Sequence, residues 1–201
     1  MPSQNRMDDR AEQLAFMRQY SFATLVTSDP GGLRATHLPF TVAERDGALR
    51  LLAHLARANP QSAHVAGGEA LVIFQGPHAY ISPSLYQRHP SVPTWNYAAV
   101  HAYGRLRVME GAGDKLGLLR QLVSDHDPAY LEQLASLPAE FLALKLDGIV
   151  AFDIAVTRLE ARWKLSQERT AQERQTIAGA LQRSADSAAQ ALAAMTPGQA
   201  G

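Results

Sequence analysis

The chain has 201 residues, enough for one sizeable domain or two small ones, and its 46% hydrophobic and 19% charged residues match a globular protein with a buried core. Its 19 basic side chains balance 19 acidic ones, so the chain as a whole lacks the basic excess of a nucleic-acid binder. With no cysteine, disulfides, thiolate zinc sites and cysteine nucleophiles are excluded.

Residues 11–20 carry Leu14, Phe16 and Met17 at helical spacing and predict a short N-terminal helix. Phe22 to Thr27 is a β-branched and aromatic run. It is followed by the turn formers Asp29-Pro30-Gly31-Gly32 and by a return strand from Leu33 to Val42, which together make a hairpin. A turn at Arg45-Asp46-Gly47 leads to a third strand, Ala48 to Leu55. Asn59-Pro60 then opens a short helix that Gly67-Gly68 must end. Glu69 to Gln75 is a further strand, and residues 76–98 read as extended edges and loops. Ala99 to Met109 alternates: Val100, Ala102, Gly104, Leu106 and Val108 take one face, and His101, Tyr103, Arg105 and Arg107 the other.

Residues 114–145 are helical in pattern and are cut by Asp127-Pro128 and Leu137-Pro138. The last strand runs from about Gly148 to Leu165. Its apolar phase is even at Phe152, Ile154 and Val156 and odd at Leu159, Trp163 and Leu165, which requires a bulge or bend. Residues 170–195 suit one terminal helix, and the last six residues a frayed end. Strands joined mostly by turns predict antiparallel β structure with peripheral helices and a C-terminal helix. A barrel is favoured because closure removes exposed edges. The expected organisation is a single domain over residues 1–201. The barrel occupies about 20–110 and 148–167, a helical insertion about 113–145, and the C-terminal helix about 170–195. No apolar run approaches the roughly 18 residues of a membrane helix. No membrane partner is therefore expected, and a reducing cytoplasm is the simplest location.

Four segments carry candidate chemistry. His54-Leu55-Ala56-Arg57-Ala58-Asn59-Pro60-Gln61 puts a His and an Arg ahead of a capped helix start. That suits an anion such as phosphate, or an ordinary capped surface turn. Thr36-His37-Leu38-Pro39 closes a strand at an edge or rim. Val92-Pro93-Thr94-Trp95-Asn96-Tyr97 sets two aromatics beside an amide, suiting a flat heteroaromatic ligand or a loop packed on the core. Arg162 to Gln167 ends the last strand, where Lys164, Ser166 and Gln167 offer polar groups to a ligand, a partner or solvent. The seven histidines have no metal-ligand spacing, and no nucleophile elbow, Walker loop or dinucleotide fingerprint occurs.

The same segments carry a resemblance. Phe22-Ala23-Thr24-Leu25-Val26, Ala35 to Phe40, His54 to Gln61, Phe74 to Pro83, Val92 to Gly104 and Lys164-Leu165-Ser166-Gln167, in that order, are similar to the PaiB family of FMN-binding negative transcriptional regulators. The resemblance covers roughly residues 20–183. It implies a split β-barrel of the pyridoxamine phosphate oxidase type that holds FMN at a homodimer interface. Thr36, His37, Leu38 and Pro39 would lie along the isoalloxazine ring, and His54, Ala56, Arg57 and Asn59 would hold the ribityl phosphate. Trp95, Tyr97 and His101 would shape the pocket, and Lys164, Ser166 and Gln167 would reach it from the second subunit. Glu168 stands where the family has Asn, and Ala161-Arg162-Trp163-Lys164 where it has Gly-Lys-Phe-Lys. A carboxylate beside a phosphate is unfavourable, so Glu168 is expected to point away. The implied role is repression through a homodimer. No helix-turn-helix with a basic recognition helix is recognisable, so DNA would be met by a dimer surface or through a partner protein. The competing roles are an FMN-dependent oxidoreductase or flavin reductase and, third, a haem-binding protein on the same barrel.

Overall fold

The structure, a computed structural model, describes residues 5–45 and 47–196. Asp46 of the expected turn at Arg45-Asp46-Gly47 and residues 197–201 of the expected frayed end lie outside the described residues.

Turn chemistry starts the sheet. β1 (Phe22–Asp29) and β2 (Gly32–Pro39) pair antiparallel from Phe22↔Pro39 to Asp29↔Gly32. The Asp29 carboxylate caps the turn by accepting from the Gly31 N–H at 2.6 Å and from the Arg34 guanidinium. Gly32 takes φ 112°, a backbone conformation that side chains disfavour. The single return strand expected from Leu33 to Val42 is two strands, because Pro39 has no N–H with which to continue the ladder. Phe40 instead donates its N–H to Ser21 O at 2.9 Å, and β3 (Thr41–Arg45) begins one residue later and pairs with β4 (Ala48–Ala56).

The remaining strands are β5 (Glu69–Ile81), β6 (Thr94–Val108) and β7 (Ile149–Lys164). The sheet order is β2-β1-β5-β6-β7-β4-β3. β2 and β3 are therefore the two sheet edges, yet Phe40 alone joins them, and Pro39 to Thr41 spans at most about 7 Å. The end of β2 and the start of β3 must therefore meet, which curls the sheet into a barrel with its seam at Phe40. Phe40 is buried at that seam, with ring centroids 5.9 Å from Phe74 and 6.4 Å from Phe152.

β5 and β6 both extend into residues 76–98, which the sequence reading left as edges and loops. Pro77 lies within β5 beyond Ala70 to Ile73, the stretch that pairs with β1. β7 shows the expected change of phase. Ala151, Phe152, Asp153 and Ile154 are all buried, whereas from Ala161 the buried positions are Ala161, Trp163 and Leu165. Four successive buried residues mean that both strand faces are covered there. Phe152 and Ile154 are fully buried, Ala151 packs with Leu52 and Leu118, and Asp153 pairs with Arg50 at 3.4 Å and Arg107 at 3.1 Å.

The helices are α1 (Arg10–Gln19), α2 (Ala112–His126), α3 (Leu131–Ser136), α4 (Ala139–Asp147), α5 (Ala171–Gln182) and α6 (Ser187–Met195). The single terminal helix expected over 170–195 is thus a pair. Asp186 starts α6 as its N-cap, accepting from the Ala188 N–H at 2.9 Å. The described residues divide into two compact units. One contains 5–13, 75–100 and 160–196, and the other 14–74 and 101–159.

Candidate functional site

In the unit built from residues 14–74 and 101–159, a polar corner forms where β2 passes the turn after β4. The helix expected after Asn59 is one five-residue 3-10 turn, Pro60–His64, with Asn59 as its cap. Gln61 is buried at its centre. Its side chain donates to Thr27 Oγ1 at 2.9 Å and to Arg34 O at 3.5 Å, and its Oε1 accepts from the Thr36 hydroxyl at 2.6 Å. Asn59 accepts from the Gln61 N–H at 2.9 Å and donates to Thr36 Oγ1 at 3.1 Å. Thr36 and Asn59, which the sequence reading assigned separately, are therefore hydrogen-bonded neighbours, and Gln61 is the residue that reading left out. Its place in the Asn-Pro-Gln block was visible, but a buried amide is not distinguishable from an exposed one by its neighbours in sequence.

The other β2 residues divide by the strand's alternation. His37 is exposed and stacks on Phe22 with ring centroids 6.2 Å apart, Leu38 is buried and Pro39 is half-buried. Because β2 is a sheet edge, its outward backbone groups have no ladder partner.

His54 is half-buried in β4, opposite Ala151 of β7. Burial holds its pKa below the ordinary histidine value, so it is neutral at pH 7, and its Nδ1 is buried without a hydrogen-bond partner among the described residues. Ala56 ends the strand exposed. Arg57 turns toward the end of α4: Nε donates to Asp147 O at 2.6 Å and Nη2 to Ile149 O at 3.3 Å. Two of its five N–H groups are used in this way, leaving three for an anion. His101, on the polar face of β6, is half-buried, with its ring 6.5 Å from Tyr103.

In the unit built from residues 5–13, 75–100 and 160–196, Trp95 is 53% exposed. Its ring lies 5.5 Å from His78 and edge-on to Tyr80 at 6.4 Å. Tyr97 is half-buried beneath the Arg162 guanidinium at 5.8 Å. Lys164 Nζ donates to Thr94 Oγ1. Ser166 takes φ 60° and is buried against Asn96, donating to Oδ1 at 3.2 Å and accepting from Nδ2 at 2.9 Å. Gln167 spends its amide on its own turn, accepting from Leu165 N at 2.8 Å and donating to Trp163 O. Glu168 is half exposed, 3.5 Å from Arg169 Nε.

The Thr36 corner fits a flavin mononucleotide. Arg57 and one unused Asn59 N–H suit phosphate or ribityl oxygens, and the unpaired nitrogen of a neutral His54 supplies a third polar contact. The open edge of β2 suits the imide side of the ring, which presents an N–H between two carbonyls.

Comparison with known proteins agrees. Residues 1–158 match the family model described as "Putative FMN-binding domain". The Bacillus subtilis protein named Protease synthase and sporulation protein PAI 2 is 37% identical over 174 residues, which cover 84% of this chain and 82% of that protein. Two solved structures share the fold at a TM-score of 0.62. The FAD and heme binding protein from Mycobacterium smegmatis is 17% identical and is matched over 80% of this chain and 74% of that one. The flavocytochrome Anf3 from Azotobacter vinelandii is 15% identical and is matched over 79% and 68%. Seven curled antiparallel strands, a donor-rich corner suited to a phosphorylated flavin, and this relative and family match together place the chain in the PaiB family of FMN-binding split-barrel proteins, with FMN as its cofactor.

Proposed function

We propose that this protein is a homodimeric FMN-binding negative regulator of transcription, in which two copies complete each flavin site. The observation that carries the reading is the corner of Thr36, Asn59 and Arg57, which holds unused hydrogen-bonding capacity at the surface. Arg57 and Asn59 bind the phosphate and ribityl end, with His54 and the Ala56 backbone beside them. Thr36, His37, Leu38 and Pro39 orient the ring. Trp95, Tyr97, His101, Lys164, Ser166 and Gln167 close the site, with Lys164 to Gln167 supplied by the second copy. Bound FMN contributes a redox-active ring, and the protein positions it and limits its access to water.

Two further observations support the reading. Tyr80 and Trp95 are each 53% exposed and lie edge to face, an aromatic surface that a second copy would cover. The Bacillus subtilis relative is named for protease synthesis and sporulation, which suits a regulatory role. Within α5 and α6, the second helix, Ser187–Met195, carries no basic residue. DNA is therefore met by a dimer surface or through a partner protein, and not by that helix.

A visible spectrum of protein loaded with micromolar FMN tests the first layer: flavin bands are expected, and failure to load or a Soret band refutes it. Gel filtration tests the dimer. A gel shift at low and moderate salt tests direct DNA contact, and no shift with any promoter fragment leaves only the partner-mediated route. Stopped-flow reduction of bound flavin by NADH or NADPH faster than the free flavin would favour an oxidoreductase instead.

A further inference from the structure

The polarity of the Thr36 corner is fixed by two backbone groups that cannot change sign. Arg34 O only accepts, so the Gln61 amide must turn its NH2 toward it, and its Oε1 must face Thr36. The Gln61 N–H only donates, so Asn59 must offer it Oδ1, and its NH2 must face Thr36. Thr36 Oγ1 thus accepts from Asn59 and spends its one proton on Gln61. What remains open is a lone pair on Thr36 and, on Asn59, one N–H and the second lone pair of Oδ1.

Resting on the reading of this corner as the FMN site, we infer that Gln61 is a positioning residue that sets its hydrogen-bond polarity, so that Thr36 meets a donor of the cofactor and Asn59 an acceptor. FMN has such donors in its imide N–H and ribityl hydroxyls, and such acceptors in its phosphate, ribityl and carbonyl oxygens. Thr36 therefore recognises the ring or the sugar chain and never the phosphate. Gln61 touches no cofactor atom. It acts by consuming the Thr36 proton and by holding Asn59 through its own backbone.

The test is a double-mutant cycle on FMN affinity, read by fluorescence titration. Thr36→Val and Gln61→Met are each expected to weaken FMN about tenfold, the worth of one good hydrogen bond. The double variant is expected to be no weaker than either single one, and Thr36→Ser is expected to bind like the parent. A purely structural role for Gln61 gives losses that multiply, and that result, or unchanged affinity in Gln61→Met, overturns the inference. Should Gln61→Met not fold, Thr27→Val takes its place. It is isosteric and removes the shorter of the two bonds that the Gln61 NH2 donates, and its loss is likewise expected only while Thr36 is present. The Thr36→Val loss is also expected to persist when riboflavin replaces FMN; a loss confined to FMN would put Thr36 on the phosphate and overturn the polarity. Absence of FMN binding by the parent protein would instead defeat the proposed function, so the two failures are distinct.

Discussion

Two hydroxyl–amide clusters in this molecule are built from nearly the same parts and finish differently. In one, Asn96 and Ser166 exchange hydrogen bonds in both directions, both are buried, and Gln167 closes on its own turn. In the other, Thr36 and Asn59 are half-buried, and each keeps unspent hydrogen-bonding capacity after Gln61 has taken its share. The first cluster is closed: its side chains bond one another and the turn after β7. The second is open and can hold a ligand as well. Residue type does not separate scaffold from site here; unspent valence at an accessible atom does. The same test applies to Ser166 and Gln167, assigned to the cofactor by resemblance. Their side chains are committed to the turn after β7, so within the proposed site they contribute chiefly by shaping the backbone there.

The largest expected effect breaks the closed cluster. Asn96→Ala removes both bonds to a buried hydroxyl, and should cost about 2–4 kcal/mol of folding stability. A urea melt measures it. FMN affinity, measured on the folded fraction, should stay within about twofold of the parent, because stability and affinity are being charged to different clusters. A large loss of affinity with little change in stability would show that Asn96 belongs to the site and would collapse the distinction.

The next effect is the reverse. Arg57→Ala should weaken FMN by about 1.5–3 kcal/mol, since it deletes a charge-assisted contact to phosphate. Its cost to folding should be about 1 kcal/mol or less, because the bonds to Asp147 O and Ile149 O are exposed. Titration with FMN and a parallel melt measure the pair of values, and unchanged affinity removes Arg57 from the phosphate site.

How far the sequence reached depends on whether each signal was local. The hairpin was legible because Asp29-Pro30-Gly31-Gly32 can do little besides turn. The change of phase in β7 was legible because alternation is a property of the strand alone. The seam at Phe40 was not, because one residue's role there depends on two strand edges meeting across the barrel. The Ala-rich tail hid its own break at Asp186, where helix propensity on both sides outweighed one capping residue in the reading. Within the site, Arg57 and Asn59 announced themselves by charge and capping chemistry. Gln61 did not, since its importance is a matter of burial and of what lies 25 residues back at Thr36. Of the two tryptophans, Trp163 is buried and Trp95 is half exposed.

The smallest effect separates the clusters by pH. The closed one has no titrating group between pH 5 and 8, so the stability lost in Asn96→Ala should be the same across that range. The open one lies two residues beyond the strand that carries His54, whose pKa is lowered by burial. A depressed histidine pKa means that the unfolded chain binds a proton before the folded one does. The stability gained by keeping His54 neutral is therefore complete above the ordinary histidine value and is lost as pH falls through it toward the lower folded value. His54→Gln should flatten that part of the decline, so that between pH 7.5 and 5.5 its melts fall less steeply than those of the parent protein. FMN should oppose the decline: a phosphate held near the unpaired Nδ1 favours the protonated ring, so binding takes up a proton there and His54 strengthens it on the acid side while stability falls. Parallel slopes for parent and variant would place His54 among the passive core residues and leave Arg57 and Asn59 to hold the phosphate without it.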